Sequence, residues 1–282
     1  MFSRFSRSWA LVKASATVLK QDKELLWFPL FSSIATILVA ASFIVPVAVS
    51  GGFERLDAEG GTEPWIWAWV FAFYLSQYFV IFFFNSALVG AALIRLNGGD
   101  PTVSDGLRIA SGKIGVIFGY AMIAATVGLI LRMLEERLGW IGQWIVAAIG
   151  VAFTVATFLT VPILVSKDIG PIDAVKESAS MLKKTWGENL IGNGGIGLAF
   201  FVIYLGLVAV AGGLLFLAVQ SGSGALMAIV AGFVVVGFVI AALIQAALQG
   251  VYSAALYRYA TEGQVGGEFS NDVMQDAFKL KA

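Results

Sequence analysis

The 282-residue sequence contains neither cysteine nor histidine. Without cysteine it has no disulfides or thiolate ligands, and without histidine it has no imidazole for metal binding or for a Ser-His or Cys-His pair. No apolar segment contains a pair of acidic residues, so general acid–base chemistry would have to come from carboxylates in loops. We therefore predict no metal site, no cofactor, no catalytic residue and no enzymatic activity.

Charge is also scarce. Only 13% of the residues are charged and the formal net charge is zero, so the chain lacks the basic surface that binds nucleic acid. Hydrophobic residues make up 59% of the chain, against about 45–50% in a typical soluble domain. This composition predicts a multi-pass membrane protein.

The apolar residues fall into six long segments that predict six transmembrane helices in one all-α bundle. The predicted spans are 28–50, 65–94, 114–133, 140–165, 192–219 and 226–257. We assign residues 1–282 to a single transmembrane domain. Its parts are an N-terminal interfacial helix (1–27), spans one to four (28–165), a second interfacial helix (166–191), spans five and six (192–257) and a cytoplasmic tail (258–282).

Amphipathic segments precede three of these spans. In the segment 167–191 an apolar stripe steps by three and four residues through Ile172, Val175, Ala179, Leu182 and Trp186. The first 27 residues carry a similar stripe, Trp9, Val12, Ala16 and Leu19. In the loop 95–113 we predict a short helix capped by Asp100 and opened by Pro101. Helices of this kind between spans are expected to lie in the membrane interface.

Basic residues are concentrated in alternate loops, which predicts the topology. The N-terminal segment, the loops 95–113 and 166–190 and the tail hold most of the lysines and arginines, whereas the other loops hold only Arg55, Arg132 and Arg137. Both termini and all three amphipathic segments are therefore expected on the cytoplasmic side.

A shift of 163 residues aligns two parts of the chain and suggests an internal repeat. Residues 9–98 and 172–261 then match at the amphipathic helices and at the ends of spans two and six, as in Ala91-Ala92-Leu93 and Ala254-Ala255-Leu256. The block 101–165 has the same order of elements, with a different shift. We interpret the chain as repeated units of an interfacial helix and a hairpin, although amphipathic helices also resemble one another by composition alone.

Uncharged polar residues are the candidate functional groups inside the spans. They are Gln77 and Asn85 in span two and Gln245, Gln249 and Tyr252 in span six. One interpretation is the polar lining of a path for a substrate or ion. The other is interhelical hydrogen bonding, which contributes on average about 0.6 kcal/mol per contact.

Basic residues at the cytoplasmic ends of helices are candidate contacts for lipid headgroups. These are Arg95, Lys176, Lys183, Lys184 and Arg258. The alternative is that they only anchor the topology. Four acidic residues share the loop of the three lysines, so the attraction for anionic headgroups would be weak.

Three segments carry a resemblance to a known family: residues 92–110, residues 161–193 and the Trp27-Phe28-Pro29 sequence that opens span one. Their most distinctive pieces are Gly98-Gly99-Asp100-Pro101 and Lys184-Thr185-Trp186-Gly187-Glu188. The chain resembles a family of uncharacterised prokaryotic six-span membrane proteins, distantly like the membrane domain of glycerophosphodiester phosphodiesterases. The resemblance implies a six-helix bundle in the plasma membrane of a prokaryote and implies no activity.

Two functions are compatible with these features. The first is a non-enzymatic component that organises membrane lipids or partner proteins, acting as a homo-oligomer. The alternative is a transporter or channel for a neutral or weakly charged solute, with the glutamine and asparagine faces as its lining.

Overall fold

The computed structural model describes residues 2–52, 64–186, 195–263 and 269. Within these ranges the chain is helical and contains no strand, which confirms the predicted all-α bundle. The helices are α1 (Phe2–Gln21), a 3-10 turn (Lys23–Leu26), α2 (Trp27–Val49), α3 (Pro64–Leu96), α4 (Val103–Gly112), α5 (Ile114–Arg137), α6 (Trp140–Ala156), α7 (Thr160–Ser166), α8 (Pro171–Trp186), α9 (Gly195–Gln220) and α10 (Gly224–Glu262).

Six helical stretches of the described chain are long and apolar enough to cross a membrane, as predicted. They are Lys23–Val49, Pro64–Leu96, Ile114–Arg137, Gly142–Ser166, Ala199–Gln220 and Gly224–Glu262. The fourth is interrupted between α6 and α7. Pro162 lies in the first turn of α7, where its missing N–H is tolerated, and its ring disfavours one continuous helix.

Helix α3 is the centre of the bundle and packs against α2, α4, α5, α7 and α10. The most buried residues lie in the C-terminal parts of the second helices of the hairpins, for example Ala92 in α3, Ile163 in α7 and Ala255 in α10, each with no exposed surface. These three segments pack against one another and form the core beside the ends that carry Arg95, Lys167 and Arg258.

Each amphipathic helix packs on a hairpin. Helix α4 packs against α3, α8 packs against α5, α6 and α7, and α1 packs against α9 and α10. Helices α4 and α8 therefore contact the hairpin that precedes each of them in the chain. Helix α1 contacts the last hairpin, which is formed by α9 and α10. These contacts are the ones that three repeated units would make in a closed ring, although the repeat itself and the interfacial position of these helices stay predictions.

The predicted start of α4 is wrong. The helix begins at Val103 and its cap is Thr102, not Asp100: the Asp105 N–H donates to Thr102 Oγ1 at 3.2 Å and the Thr102 N–H donates to Asp105 Oδ2 at 3.1 Å. This reciprocal pair is a capping box. Glu24 accepts a further hydrogen bond from the Val103 N–H at 3.1 Å.

The predicted stripes coincide with the buried faces only in part: Val12 and Leu19 of α1 are buried, whereas Trp9 is 48% exposed. In α8 the buried positions are Ala174, Ser178 and Leu182, whereas Ile172 is 59% exposed. The side chain of Trp186 lies outside the described residues, as do most of the acidic loop 51–64, the glycine-rich segment after α8 and a short helix predicted at 271–280.

Candidate functional site

The bundle encloses a cavity of about 630 Å³ that lies between α2, α3, α5, α6 and α10. Its walls are apolar and aromatic, with Phe28, Phe82, Tyr120, Phe153 and Phe158 among them, and no charged residue of the described ranges lines it. Cavities of about 300–1,000 Å³ with a few polar groups are typical of small-molecule sites. The cavity therefore suits a ligand, or part of one, that is uncharged.

Two amide side chains, Asn85 of α3 and Gln249 of α10, face this cavity. The helices that carry them approach closely at Gly250, where an added Cβ would lie 2.3 Å from Leu88 Cδ2 and 3.7 Å from Asn85 Oδ1. Neither amide has a hydrogen-bond partner among the described residues. Each brings donors and an acceptor to an apolar space, where an unpaired polar group is unfavourable.

Three hydroxyl groups in the wall are already paired. Thr154 donates to the Gly150 carbonyl at 2.9 Å, Thr157 donates to the Phe153 carbonyl at 2.8 Å, and Ser253 donates to the Gly250 carbonyl at 2.9 Å. These bonds are made within the residues' own helices, so the hydroxyl protons are not directed at a ligand. Asn85 and Gln249 are the two amides of the wall, and the hydroxyl groups of Ser32 and Tyr78 line it as well.

The cavity opens sideways between α6 and α10. Thr154 of α6 and both Ala246 and Gln249 of α10 line the cavity and are nevertheless exposed. Helix α6 packs chiefly against α5 and α8 and leaves this side uncovered. Both α6 and α10 belong to predicted spans, so in a bilayer that these helices crossed the opening would face the lipid chains.

The other polar residues predicted from the spans contact protein and are not among the residues that line this cavity. Gln77 Nε2 donates to the Thr36 carbonyl at 3.2 Å, and Gln245 Oε1 accepts from the Tyr204 hydroxyl at 2.7 Å. Tyr252 is only 7% exposed, with its ring 6.0 Å from that of Phe158. The five predicted residues thus divide into two that face the cavity and three that lie between helices.

Three of the predicted headgroup contacts, Arg95, Arg258 and Lys176, have protein partners. Arg95 pairs with the buried Asp22 and, at 3.2 Å, with Asp100. Arg258 donates to the Leu96 carbonyl and pairs with Glu262 at 2.9 Å. Lys176 lies 3.6 Å from Asp173, and Lys183 is exposed. The side chain of Lys184 lies outside the described residues.

Ion pairs join the loops at the same end of the bundle. Lys113 pairs with Asp168 and donates to the Lys167 carbonyl at 3.0 Å, and Lys167 pairs with Glu177. The hydrogen bond from Lys113 lowers the pKa of the Asp168 carboxyl, and the bond to Glu177 raises the pKa of Lys167. These ion pairs fasten α8 to the hairpin before it.

A metal centre is not apparent in the described ranges, which contain no group of three or more Asp or Glu side chains placed to hold an ion. The sideways opening was not predicted from the sequence, because it depends on how far α6 stands from α10. The exposed Thr154 and Ala246 carry no signal that distinguishes them from lipid-facing residues.

Comparison with known proteins gives one match. No curated protein and no solved structure matches the chain. The expected likeness to the membrane domain of glycerophosphodiester phosphodiesterases receives no support. The profile of the family of unknown function DUF6159 matches residues 66–267, which include the cavity-lining parts of α3, α5, α6 and α10. The chain therefore belongs to this family of unknown function, DUF6159.

Proposed function

We propose that this protein is a non-enzymatic membrane protein that binds a neutral lipid in the cavity between α3, α5, α6 and α10. The observation that carries the proposal is the sideways opening of an uncharged cavity between two predicted spans, α6 and α10. A molecule dissolved in the bilayer has direct access to such an opening, whereas a water-soluble solute does not.

The two amides define the polar part of the ligand. Asn85 and Gln249 can donate to a carbonyl oxygen and accept from a hydroxyl group, and no charged side chain is available there to neutralise an ionised headgroup. A lipid with ester and hydroxyl groups and no charge, such as a diacylglycerol, satisfies these amides. Its chains would leave through the opening past Ala246.

The test is photolabelling of the purified protein in lipid nanodiscs that contain a photoactivatable diacylglycerol. Gln249→Leu should reduce labelling of the cavity peptides about tenfold, because one hydrogen-bonding amide is lost. The matched control is Gln245→Leu, one turn away on the same helix, whose amide is bound to Tyr204 and does not line the cavity. It should label as the wild type does.

A steric pair of variants tests the opening itself. Ala246→Trp should block it and abolish labelling, whereas Ala242→Trp, one turn away and also exposed, should not, because Ala242 does not line the cavity. Equal labelling of all four variants and the wild type would contradict the proposal.

The proposal also covers assembly and location. We propose that the protein is a homo-oligomer, as predicted from the sequence. We place it in the plasma membrane of a prokaryote, with both termini in the cytoplasm. Large apolar side chains on the outer halves of α9 and α10, such as Phe216 and Phe233, are exposed and are available to lipid or to a second copy. The mass of the protein in nanodiscs, measured by light scattering, tests the oligomer.

A transporter for a neutral solute is the second candidate. It is favoured by the position of Asn85 and Gln249, which come from different predicted hairpins and face one cavity. The buried contacts of α3, α7 and α10 close the path beyond the cavity, so transport would require these helices to separate. Uptake of a neutral solute such as glycerol into proteoliposomes, abolished by Gln249→Leu, would favour this candidate over lipid binding.

A further inference from the structure

A second cavity, of about 530 Å³, lies where α5 ends and α6 begins. It is lined by Tyr74, Gly128, Leu131, Arg132, Glu135, Glu136 and Gln143. Gly128 and Leu131 also line the central cavity, so the two spaces adjoin along α5. The central cavity is uncharged, whereas this end cavity carries one cation and two carboxylates.

Arg132 is held in place and still has hydrogen-bonding capacity. Its Nη1 donates to the Tyr74 hydroxyl at 2.7 Å and its Nε donates to Glu136 Oε1 at 3.1 Å. A guanidinium has five N–H groups, so three have no partner in the described part of the chain. The Arg132 side chain is 51% exposed, and its planar fork suits two oxygens of a phosphate.

The carboxylates select among phosphate-bearing groups. Glu135 and Glu136 outnumber Arg132 in the wall, so a headgroup with net negative charge meets more repulsion than attraction. A phosphate linked to a primary ammonium satisfies both signs: the phosphate meets Arg132 and the ammonium donates to the carboxylates. A quaternary ammonium has no N–H to donate, so it gains less from them.

The depth of the site matches one leaflet of a bilayer. Arg132 and Tyr120 are twelve residues apart on α5, which is about 18 Å along the helix axis. Half of a hydrocarbon core of about 30 Å is about 15 Å. A chain that begins at the end cavity therefore reaches the level of Tyr120, where the central cavity lies.

We infer that the end cavity binds the headgroup of a phosphatidylethanolamine-type lipid, with its phosphate on Arg132, its ammonium on Glu135 and Glu136, and an acyl chain along α5. This headgroup site is independent of the diacylglycerol site on Asn85 and Gln249. The residues concerned are different, so either can fail without the other.

Native mass spectrometry of the purified full-length protein tests the inference. The probes are phosphatidylethanolamine, phosphatidylcholine and phosphatidylglycerol with identical acyl chains, supplied at equal concentration. The wild type should retain the ethanolamine lipid in preference to the other two. Arg132→Gln should lower that retention about tenfold, because charged hydrogen bonds to the phosphate are lost. The matched control is Arg137→Gln, an exposed arginine of the same helix that does not line the cavity.

A second test reverses the net charge of the cavity wall and leaves Arg132 in place, so it holds even if Arg132→Gln fails to fold. The double variant Glu135→Gln and Glu136→Gln keeps the bond between Arg132 and Tyr74 and makes the wall net positive, so retention should turn towards phosphatidylglycerol. Equal retention of the three lipids by the wild type, an equal loss in Arg137→Gln, or an unchanged preference in the double variant would overturn the inference. Gln249→Leu should leave this retention unchanged, and Arg132→Gln should leave diacylglycerol labelling unchanged.

Discussion

Asp22 is a charged residue that the fold buries at the junction of α1 and α2. It is 4% exposed, and both its carboxylate oxygens accept from Arg95, at the end of α3. Arg258 of α10 donates to the Leu96 carbonyl beside this pair. These contacts tie the ends of three elements together, and they occupy two arginines that the sequence alone would offer to lipid phosphates.

Replacing Asp22 by asparagine should lower the free energy of unfolding by about 2 kcal/mol, because Arg95 loses its buried carboxylate. The measurement is equilibrium unfolding of the detergent-solubilised protein with a denaturant. The control is Asp100→Asn: the Asp100 side chain is 93% exposed, so its pair with Arg95 contributes little. Equal destabilisation by the two substitutions would contradict the role assigned to Asp22.

Glycines show how the same residue type serves different roles. A Cβ at Gly119 would lie 2.8 Å from Pro171 Cγ, so this glycine lets α5 approach α8. Gly115, four residues earlier, has nothing within 4 Å of such a Cβ. The spacing of the two glycines is visible in the sequence, but only the packing decides that Gly119 alone makes a close contact.

Among the elements, α4 and α7 depend on contacts at their first turns. Helix α4 has its own capping box and also receives Glu24 from the preceding segment. The first turn of α7 is capped by a residue of another helix: the buried Ser178 of α8 accepts a hydrogen bond from the Leu159 N–H at 3.0 Å. A serine in a helix interior is ordinarily a weak helix former, and here it satisfies a donor that the break before α7 leaves free.

The capping box makes the first turn of α4 sensitive to acid. Hydrogen bonds from the Thr102 hydroxyl and backbone N–H lower the pKa of Asp105 below its usual value. A lowered pKa in the folded state means that the stabilisation is complete above the ordinary value, about 3.9, and is lost as the pH falls through the lowered one. Hydrogen exchange of the α4 amides, corrected for intrinsic rates, should accelerate below about pH 4.

The variants separate this effect from general acid unfolding. Asp105→Asn should remove the acceleration in that pH range, and Asp100→Asn, which leaves the capping box intact, should preserve it. An identical pH profile in Asp105→Asn and the wild type would refute the explanation.

At the scale of the whole molecule, α4 and α8 each pack on the hairpin before them, and α1 packs on the last hairpin. Ser15 of α1 and Ser178 of α8, which the shift of 163 residues aligns, are both fully buried. If the units are repeats in the same orientation, the three amphipathic helices must lie on one side of the membrane. The positive-inside rule gives the same arrangement from independent residues.

Single cysteines test this arrangement, because the natural sequence has none. A membrane-impermeant maleimide should label Arg137→Cys and Ser221→Cys in intact cells. It should label Lys20→Cys and Lys183→Cys only after the membrane is permeabilised. All four positions are exposed, so burial does not explain a difference. Labelling of Lys20→Cys in intact cells would contradict cytoplasmic amphipathic helices.

The all-α class and the six long apolar helices were predictable from the sequence, because apolar length is a local property. The first residues of the helices were harder to predict. In α4 the sequence Asp100-Pro101 is typical of a helix start, but Thr102 and Asp105 form the hydrogen bonds of the observed cap. The helical spacing of Gln77, Asn85, Gln245 and Gln249 shows which residues share a face. Only the tertiary structure decides which amides meet a neighbouring helix and which face a cavity. That decision depends on the close approach of α3 and α10 at Gly250 and on the gap between α6 and α10, distances between segments that no local pattern encodes.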